Sequence, residues 1–232
     1  MSATNINYNG LGMMIFRAGV GFGFGLPSDE SLVGYWAFDD GSGSVAVDGS
    51  GNGNDGELIN SPDWVDGVVG KCLSFDGTDE YVDCGDVDDL GDTFSISLWV
   101  NVAARGASYL PLVFRDGNTL NNVGLRLDYK GKIEFRQYGR DEISYATPLS
   151  LSTWYHIIVT CDALEGKIYV DGEYKTGGTF GASFVDTGDI TIGRYNYSGG
   201  YFLNGLIDEV RIYSTALTAS EVKALYLYPG GK

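Results

Sequence analysis

The sequence predicts an all-β fold, a two-sheet antiparallel β-sandwich with one short C-terminal helix and an extended N-terminal arm. Glycine fills 35 of the 232 positions, and glycine supplies the left-handed conformations that tight turns between strands require. Aromatic residues make up 13% of the chain, with 16 tyrosines among them, and such rings suit the pleated, half-buried surface of a strand. Short β-type runs recur along the chain between clusters of turn residues, which is the pattern of a sandwich. A chain of 232 residues can bury a sizeable core as one domain.

Residues 1–30 differ from the rest. Arg17 is the only charge before Asp29, and Gly19 to Gly25 alternate glycine with apolar side chains at period two. In an extended segment these side chains project to one face and need a surface to lie on. The segment is either a leader or edge strand of its own domain, or an arm added to a neighbouring subunit's sheet. The body spans 31–228, and residues 229–232 form a tail. Strands are predicted at Val33–Phe38, Cys72–Phe75, Tyr81–Cys84, Phe94–Asn101, Leu110–Phe114, Val123–Asp128, Lys132–Tyr138, Trp154–Cys161, Lys167–Asp171, Ile190–Arg194 and Gly205–Tyr213. Hairpins are predicted to turn at Asp76-Gly77 and Asp171-Gly172, because Asp-Gly readily adopts the left-handed residues of a two-residue loop. Thr218 and Glu221 have capping-box spacing ahead of Val222, Ala224, Leu225 and Tyr226, which predicts the single short helix.

With 31 acidic and 15 basic side chains the formal charge is −16, which repels phosphate backbones and anionic headgroups and argues against nucleic acid as a partner. The acidity reads either as solubility or as carboxylates that neutralise a bound Ca²⁺. Gly, Ser and charged residues interrupt every apolar run well short of the roughly 18 residues of a membrane span, so no membrane insertion is expected. Met13-Met14-Ile15-Phe16 ahead of Arg17 lacks the basic, apolar, small order of a secretory signal. The expectation is an extracellular or virion-surface protein, reached by earlier processing, by another export route or inside a particle.

Several segments in order carry a resemblance: Gly34-Tyr-Trp-Ala-Phe-Asp-Asp-Gly41, Asp48-Gly-Ser-Gly-Asn-Gly-Asn-Asp-Gly56, Gly70-Lys-Cys-Leu-Ser-Phe-Asp-Gly77 and Tyr81-Val-Asp-Cys-Gly85. It continues through Phe94-Ser-Ile-Ser-Leu-Trp99, Trp154-Tyr-His-Ile-Ile-Val-Thr160, Ile168-Tyr-Val-Asp-Gly172 and Gly205-Leu-Ile-Asp-Glu-Val-Arg-Ile-Tyr213. Together they resemble the laminin-G-like jelly roll of the concanavalin A-like superfamily, over residues 31–228. The resemblance implies one concave and one convex sheet, with the first and last strands paired and both termini on the same side. Its members include glycan-binding modules, adhesion domains, pentraxin-like proteins and glycoside hydrolases, so the fold leaves the function open.

Residue chemistry narrows these classes. Retaining glycoside hydrolysis needs two carboxyls about 5 Å apart, and the glutamates here are scattered, with Glu80 and Asp83 the closest imitation. His156 is the only histidine and sits in a β-run with Trp154, Ile157 and Ile158, where it reads as a hydrogen-bonded structural residue. The Asp76-Gly77 hairpin would set Cys72 opposite Cys84, about 4.5–5.5 Å apart and close to disulfide range. Cys161 reads as a small apolar residue at a strand end. For a structural Ca²⁺ the candidate ligands are Asp39, Asp48, Asn54 and Asp208, which the resemblance brings together from the first and last strand regions. Ser50 to Gly56 could also be a plain turn, and Asp208 could pair with Arg211. Ligand contacts are expected from loops, at Tyr195, Tyr197 and Tyr201 for stacking on sugars and at Arg115 and Asn118 for hydrogen bonds. The expected function is a non-enzymatic structural or adhesion module of an extracellular assembly or virion. It would be anchored to copies of itself or to other particle or filament subunits through residues 1–30 and would display a lectin-like face, with a glycan as a further candidate partner. The alternative is a monomeric carbohydrate-binding module, and a glycoside hydrolase ranks below both.

Overall fold

The computed structural model describes residues 25–87, 90–106, 108–116, 122–184, 188–196 and 200–231. Residues 1–24, most of the predicted arm, lie outside them, and the expected contacts of that arm with neighbouring subunits lie there too.

After a 3-10 turn at Asp29–Ser31 the strands run in chain order as β1 Leu32–Trp36, β2 Val45–Ala46, β3 Gly56–Ile59, β4 Asp63–Asp66, β5 Lys71–Asp76 and β6 Tyr81–Asp83. They continue as β7 Phe94–Val102, β8 Leu110–Asp116, β9 Val123–Leu127, β10 Ile133–Gln137, β11 Glu142–Tyr145 and β12 Trp154–Asp162. The last are β13 Glu165–Val170, β14 Glu173–Thr179, β15 Asp189–Ile192, β16 Arg194–Tyr195, β17 Tyr201–Phe202 and β18 Asn204–Tyr213, before helix α1 Ala219–Leu227. Every predicted strand has its counterpart. β2, β3, β4, β11, β14, β16 and β17 are additional, mostly short, and β14 carries Lys-Thr-Gly-Gly-Thr with no apolar alternation to betray it.

The strands form two eight-stranded antiparallel sheets. The first runs β14-β13-β12-β7-β18-β5-β4, with β1 also on β18, and the second runs β11-β10-β9-β8-β15-β6-β3-β2. Period-two alternation sorts the apolar side chains inward: Phe94, Ile96, Leu98 and Val100 from β7 meet Leu125, Leu127, Ile133 and Phe135 from the second sheet in one buried cluster. Phe94 and Phe135 touch edge to face at 6.0 Å between ring centroids, a favoured aromatic geometry.

β18 exchanges partners along its length. Asn204 to Ile207 pair with β5, whereas Val210 to Tyr213 pair with β1, so the first and last strands are neighbours. Between these halves Glu209 has φ +54° and the pairing with β7 shifts, a bulge that re-aims Asp208 and Glu209. The outer face of the first sheet is covered by α1, where Val222 and Leu225 pack with Tyr35, Ile158, Tyr169 and Tyr213. Thr218 and Glu221 form the predicted capping box.

The Asp171-Gly172 turn joins β13 to β14 with both residues at positive φ, as a tight primed turn requires. The Asp76-Gly77 turn does not make a hairpin. β5 lies in the first sheet and β6 in the second, so this connection crosses between layers. Cys72 therefore opposes Val65 of β4 and points toward the Asp66 carbonyl, while Cys84 sits in the core between the sheets. All three cysteines are free thiols, and the predicted Cys72–Cys84 disulfide is corrected because the register that motivated it does not form.

Candidate functional site

On the outer face of the second sheet lies a ring-lined cleft of about 330 Å³, walled by Tyr109, Arg126, Arg136, Tyr138, Gly139, Tyr195 and Tyr201. Its floor comes from strand alternation. Arg126 in β9 and Glu134 and Arg136 in β10 point outward between inward Leu125, Leu127, Ile133 and Phe135, and Arg126 stands directly opposite Glu134. Its Nε donates to Glu134 Oε2 at 2.6 Å, and its guanidinium lies 3.3 Å from the centroid of the Tyr109 ring, a cation–π contact. Burial raises the Glu134 carboxyl's pKa, against the pull of Arg126. Arg136 reaches Glu134 and Glu142 only at 3.7 Å each, so it is held more loosely than Arg126.

The small β16–β17 hairpin supplies the rest of the wall. It sets Tyr195 opposite Tyr201, with their rings nearly parallel at 14° and 6.0 Å apart. Tyr195 stacks on Phe114 of β8 at 4.4 Å and meets Tyr138 edge-on at 5.9 Å. Phe114 in turn lies over Gly124, where a Cβ would come within 2.4 Å of the ring, so only glycine leaves the rings this seat. A second cleft of about 400 Å³ adjoins through Tyr109 and Tyr201 and is lined also by Arg105, Phe202 and Asn204.

Of the predicted ligand contacts, Tyr195 and Tyr201 are therefore brought together, while Tyr197 and Asn118 fall outside the described residues. Arg115 is a correction. It is buried, with Nη2 donating to the Val87 carbonyl and Nη1 to Asp86 and the Gly188 carbonyl, so it braces a loop and leaves the cleft alone. Tyr109, Arg126, Glu134, Arg136 and Tyr138 were not singled out. The available signal was charge at alternate positions of two otherwise apolar strands, which marks an outward face bearing a paired network.

The four predicted calcium ligands separate into two places. Asp48 accepts from the Tyr35, Ser50 and Asn54 amides and from Ser50 Oγ, at 2.7–3.0 Å. Burial works to raise its pKa, but these hydrogen bonds outweigh it and hold the carboxyl below its usual range. Asn54 donates to the Val33 carbonyl, and its own carbonyl accepts from Trp36 Nε1. Asp39 and Asp208 instead hold the turn before β5, Asp39 through the Lys71 amide and Asp208 Oδ2 through the Val68 and Val69 amides. Asp208 is wholly buried, its Oδ1 has no partner among the described residues, and burial pushes its pKa up to about 7. No three His, Cys, Asp or Glu side chains converge as a metal would need among the described residues. The set does not fit one calcium cage, because Asp39 and Asp208 hold the turn before β5 while both Asp48 oxygens already accept from the Tyr35, Ser50 and Asn54 amides and the Ser50 hydroxyl.

The buried polar groups under α1 are structural. Arg211 pairs with Glu209 at 2.6 Å, not with Asp208, and also donates to the Pro229 and Gly231 carbonyls. His156 hydrogen-bonds Ser97 through Nε2 at 3.0 Å and packs beside Trp99 and Tyr226, the three ring centroids lying 5.0–6.1 Å from one another. Burial, with Arg211 adding to it, lowers its pKa to about 3, so it stays neutral.

A model of the concanavalin A-like lectin/glucanases superfamily matches residues 76–223. The chain belongs to this superfamily. No curated protein matches it by sequence. Among solved structures, this lectin-like sandwich is similar to domain 4 of AbnA, an extracellular GH43 arabinanase of Geobacillus stearothermophilus solved with arabinotriose. The TM-score is 0.68 and the identity 22%, over 84% of this chain and 98% of that one. Trypanosoma rangeli sialidase with sialic acid aligns at TM-score 0.69 and 19% identity over 88% of this chain. This chain spans only 34% of that enzyme. The binding domain of Paraclostridial Mosquitocidal Protein 1 aligns at TM-score 0.66 and 20% identity, over 85% of this chain and 52% of that one. At these identities the likeness concerns the fold. No helix among the described residues is long and apolar enough to cross a membrane.

Proposed function

We propose that this chain is a non-catalytic, extracellular carbohydrate-binding module in which the cleft on the second sheet receives the sugar. The observation that carries the reading is the convergence of Tyr109, Tyr138, Tyr195 and Tyr201 around a cleft of about 330 Å³, within the size range of small-ligand sites. Flat rings offer apolar faces to the C–H faces of sugars, and the arginines and tyrosine hydroxyls offer hydrogen bonds to their hydroxyls. A binding role is favoured over hydrolysis because Glu134 is tied to Arg126 at 2.6 Å and no carboxylate lines the cleft among the described residues. The arabinanase domain solved with arabinotriose offers a parallel at the level of the fold.

Display on an assembly is compatible with this site. Leu26, near the start of the described chain, packs with the apolar cluster under α1, on the opposite side of the sandwich from the rings. An arm leaving there could bind a neighbour while the cleft faces outward. The test is calorimetric titration with a panel of neutral and acidic oligosaccharides, using the wild type, Tyr195→Ala and Tyr201→Ala. Each variant is expected to lose at least about tenfold in affinity, roughly 1.4 kcal/mol, with Tm lowered by no more than about 6 °C through the lost ring stacking. No binding across the panel, or binding indifferent to both variants, overturns the reading.

A further inference from the structure

The two adjoining clefts differ in charge from the rest of the molecule. The protein carries 31 acidic and 15 basic side chains, yet among the described residues the only charged ones lining the clefts are Arg105 in one and Arg126 and Arg136 in the other. The carboxylates that touch these arginines are Glu134, nearly buried beneath them, and Glu142, at the sheet edge. Among the described residues, two carboxylates thus stand against the three guanidiniums of the cleft linings, an excess of one positive charge on a strongly negative protein.

The three arginines have different work. Arg126 is committed, with its side chain 5% exposed, bonded to Glu134 and stacked on Tyr109. Arg136 is 23% exposed and stands 3.7 Å from both of its carboxylates, beyond good hydrogen-bond length, so its donors are not saturated. Arg105 is the most telling. Its Nε and Nη2 are buried without a hydrogen-bond partner among the described residues, and it has no ion pair there. Its guanidinium occupies space that a side chain at Gly131 would fill, with a Cβ coming within 2.4 Å of Nε. Those two nitrogens are packed against Gly131 and closed to a ligand, so the rest of this partly exposed side chain, which lines the cleft, is what can offer an anion the charge-assisted bond that a planar guanidinium makes best.

Building on the carbohydrate-binding reading, we infer that the ligand is an acidic glycan, one whose carboxylate or sulfate groups meet Arg136 and Arg105 while its rings stack on Tyr109, Tyr195 and Tyr201. Because the whole protein repels anions, recognition acts at contact range in the clefts and weakens with added salt.

The experiment compares three probes by calorimetry on the full chain: a galacturonate trisaccharide, its carboxyl-reduced neutral counterpart and a sulfated galactan trisaccharide, each at low and high NaCl. At least one acidic probe is expected to bind tenfold or more tighter than the neutral one, and which of the two does so separates carboxylate from sulfate recognition. Arg136→Gln and Arg105→Gln should each weaken the acidic probe far more than the neutral one and so remove most of that preference with Tm unchanged, while Arg136→Lys restores part of it. Equal affinity for neutral and acidic probes overturns the acidic-ligand inference and leaves the carbohydrate-binding reading standing. Preference that survives both glutamine variants overturns the arginine assignment. No binding of any probe removes both readings.

Discussion

Replacing Gly124 with alanine probes how the sheet itself holds the cleft. Gly124 faces Phe114 across the β8–β9 ladder, and a Cβ there would stand 2.4, 2.9 and 2.9 Å from three ring carbons. Ordinary van der Waals contact begins near 3.4 Å, so the ring has to retreat by about 1 Å, and Tyr195 stacked at 4.4 Å blocks its outward path. Overpacking of this kind costs about 1–3 kcal/mol, and loss of the stack adds about 0.5–1.5 kcal/mol. The expected destabilisation is therefore about 2–4 kcal/mol. At roughly 2–4 °C per kcal/mol for a domain of this size, Tm falls by roughly 4–16 °C. The assay is urea unfolding of the wild type, Gly124→Ala, Phe114→Leu and the double variant, with near-UV circular dichroism reporting on the rings. In the Phe114→Leu background the alanine should cost less than about 1 kcal/mol, since the obstructing ring is gone. Additive single effects, or a Gly124→Ala protein as stable as wild type with an unchanged aromatic spectrum, would refute the glycine seat.

Two buried carboxylates should respond to pH in opposite directions. Asp208 has its pKa raised by burial to about 7 from 3.8, so the folded protein keeps a proton that the unfolded chain has lost. Its contribution is fully present below pH 4 and falls as pH rises toward 7, by at most about 4 kcal/mol. Asp208→Asn should flatten that part of the stability profile, and a wild-type-minus-variant difference that does not change between pH 4 and 8 would rule the mechanism out. Asp48 has its pKa lowered overall, with its hydrogen bonds overcoming the burial that opposes them, so its contribution is present above the unfolded pKa and is lost in acid. Asp48→Ala strands the Tyr35, Ser50 and Asn54 amides and should cost about 2–4 kcal/mol, whereas chelation of the wild type should leave Tm unchanged. A drop of several degrees on chelation would instead mean that these oxygens serve a cation.

Much of the fold was legible because sandwich strands declare themselves locally. Alternation in Phe94–Val102, Val123–Leu127 and Ile133–Gln137, the Asp171-Gly172 turn and the Thr218/Glu221 cap each depend on neighbouring residues only, and each appears where the sequence puts it. The edge strand β14, rich in Gly and Thr, lacks such a signal because one of its faces meets no core.

What the sequence alone determined was the class of fold, most of its strands, the helix and two of the cleft's tyrosines, since periodicity and turn chemistry act over a few residues. Only the tertiary structure decided which sheet each strand joined. That choice separates Cys72 from Cys84, splits Asp39 and Asp208 from Asp48 and Asn54, and turns Arg115 inward. It also assembles Tyr109, Arg126, Arg136 and Tyr138, from three stretches of chain, against the β16–β17 hairpin. The physical reason is that a cleft wall is set by which strands become neighbours across the ladder, and that pairing is a property of the buried core as a whole.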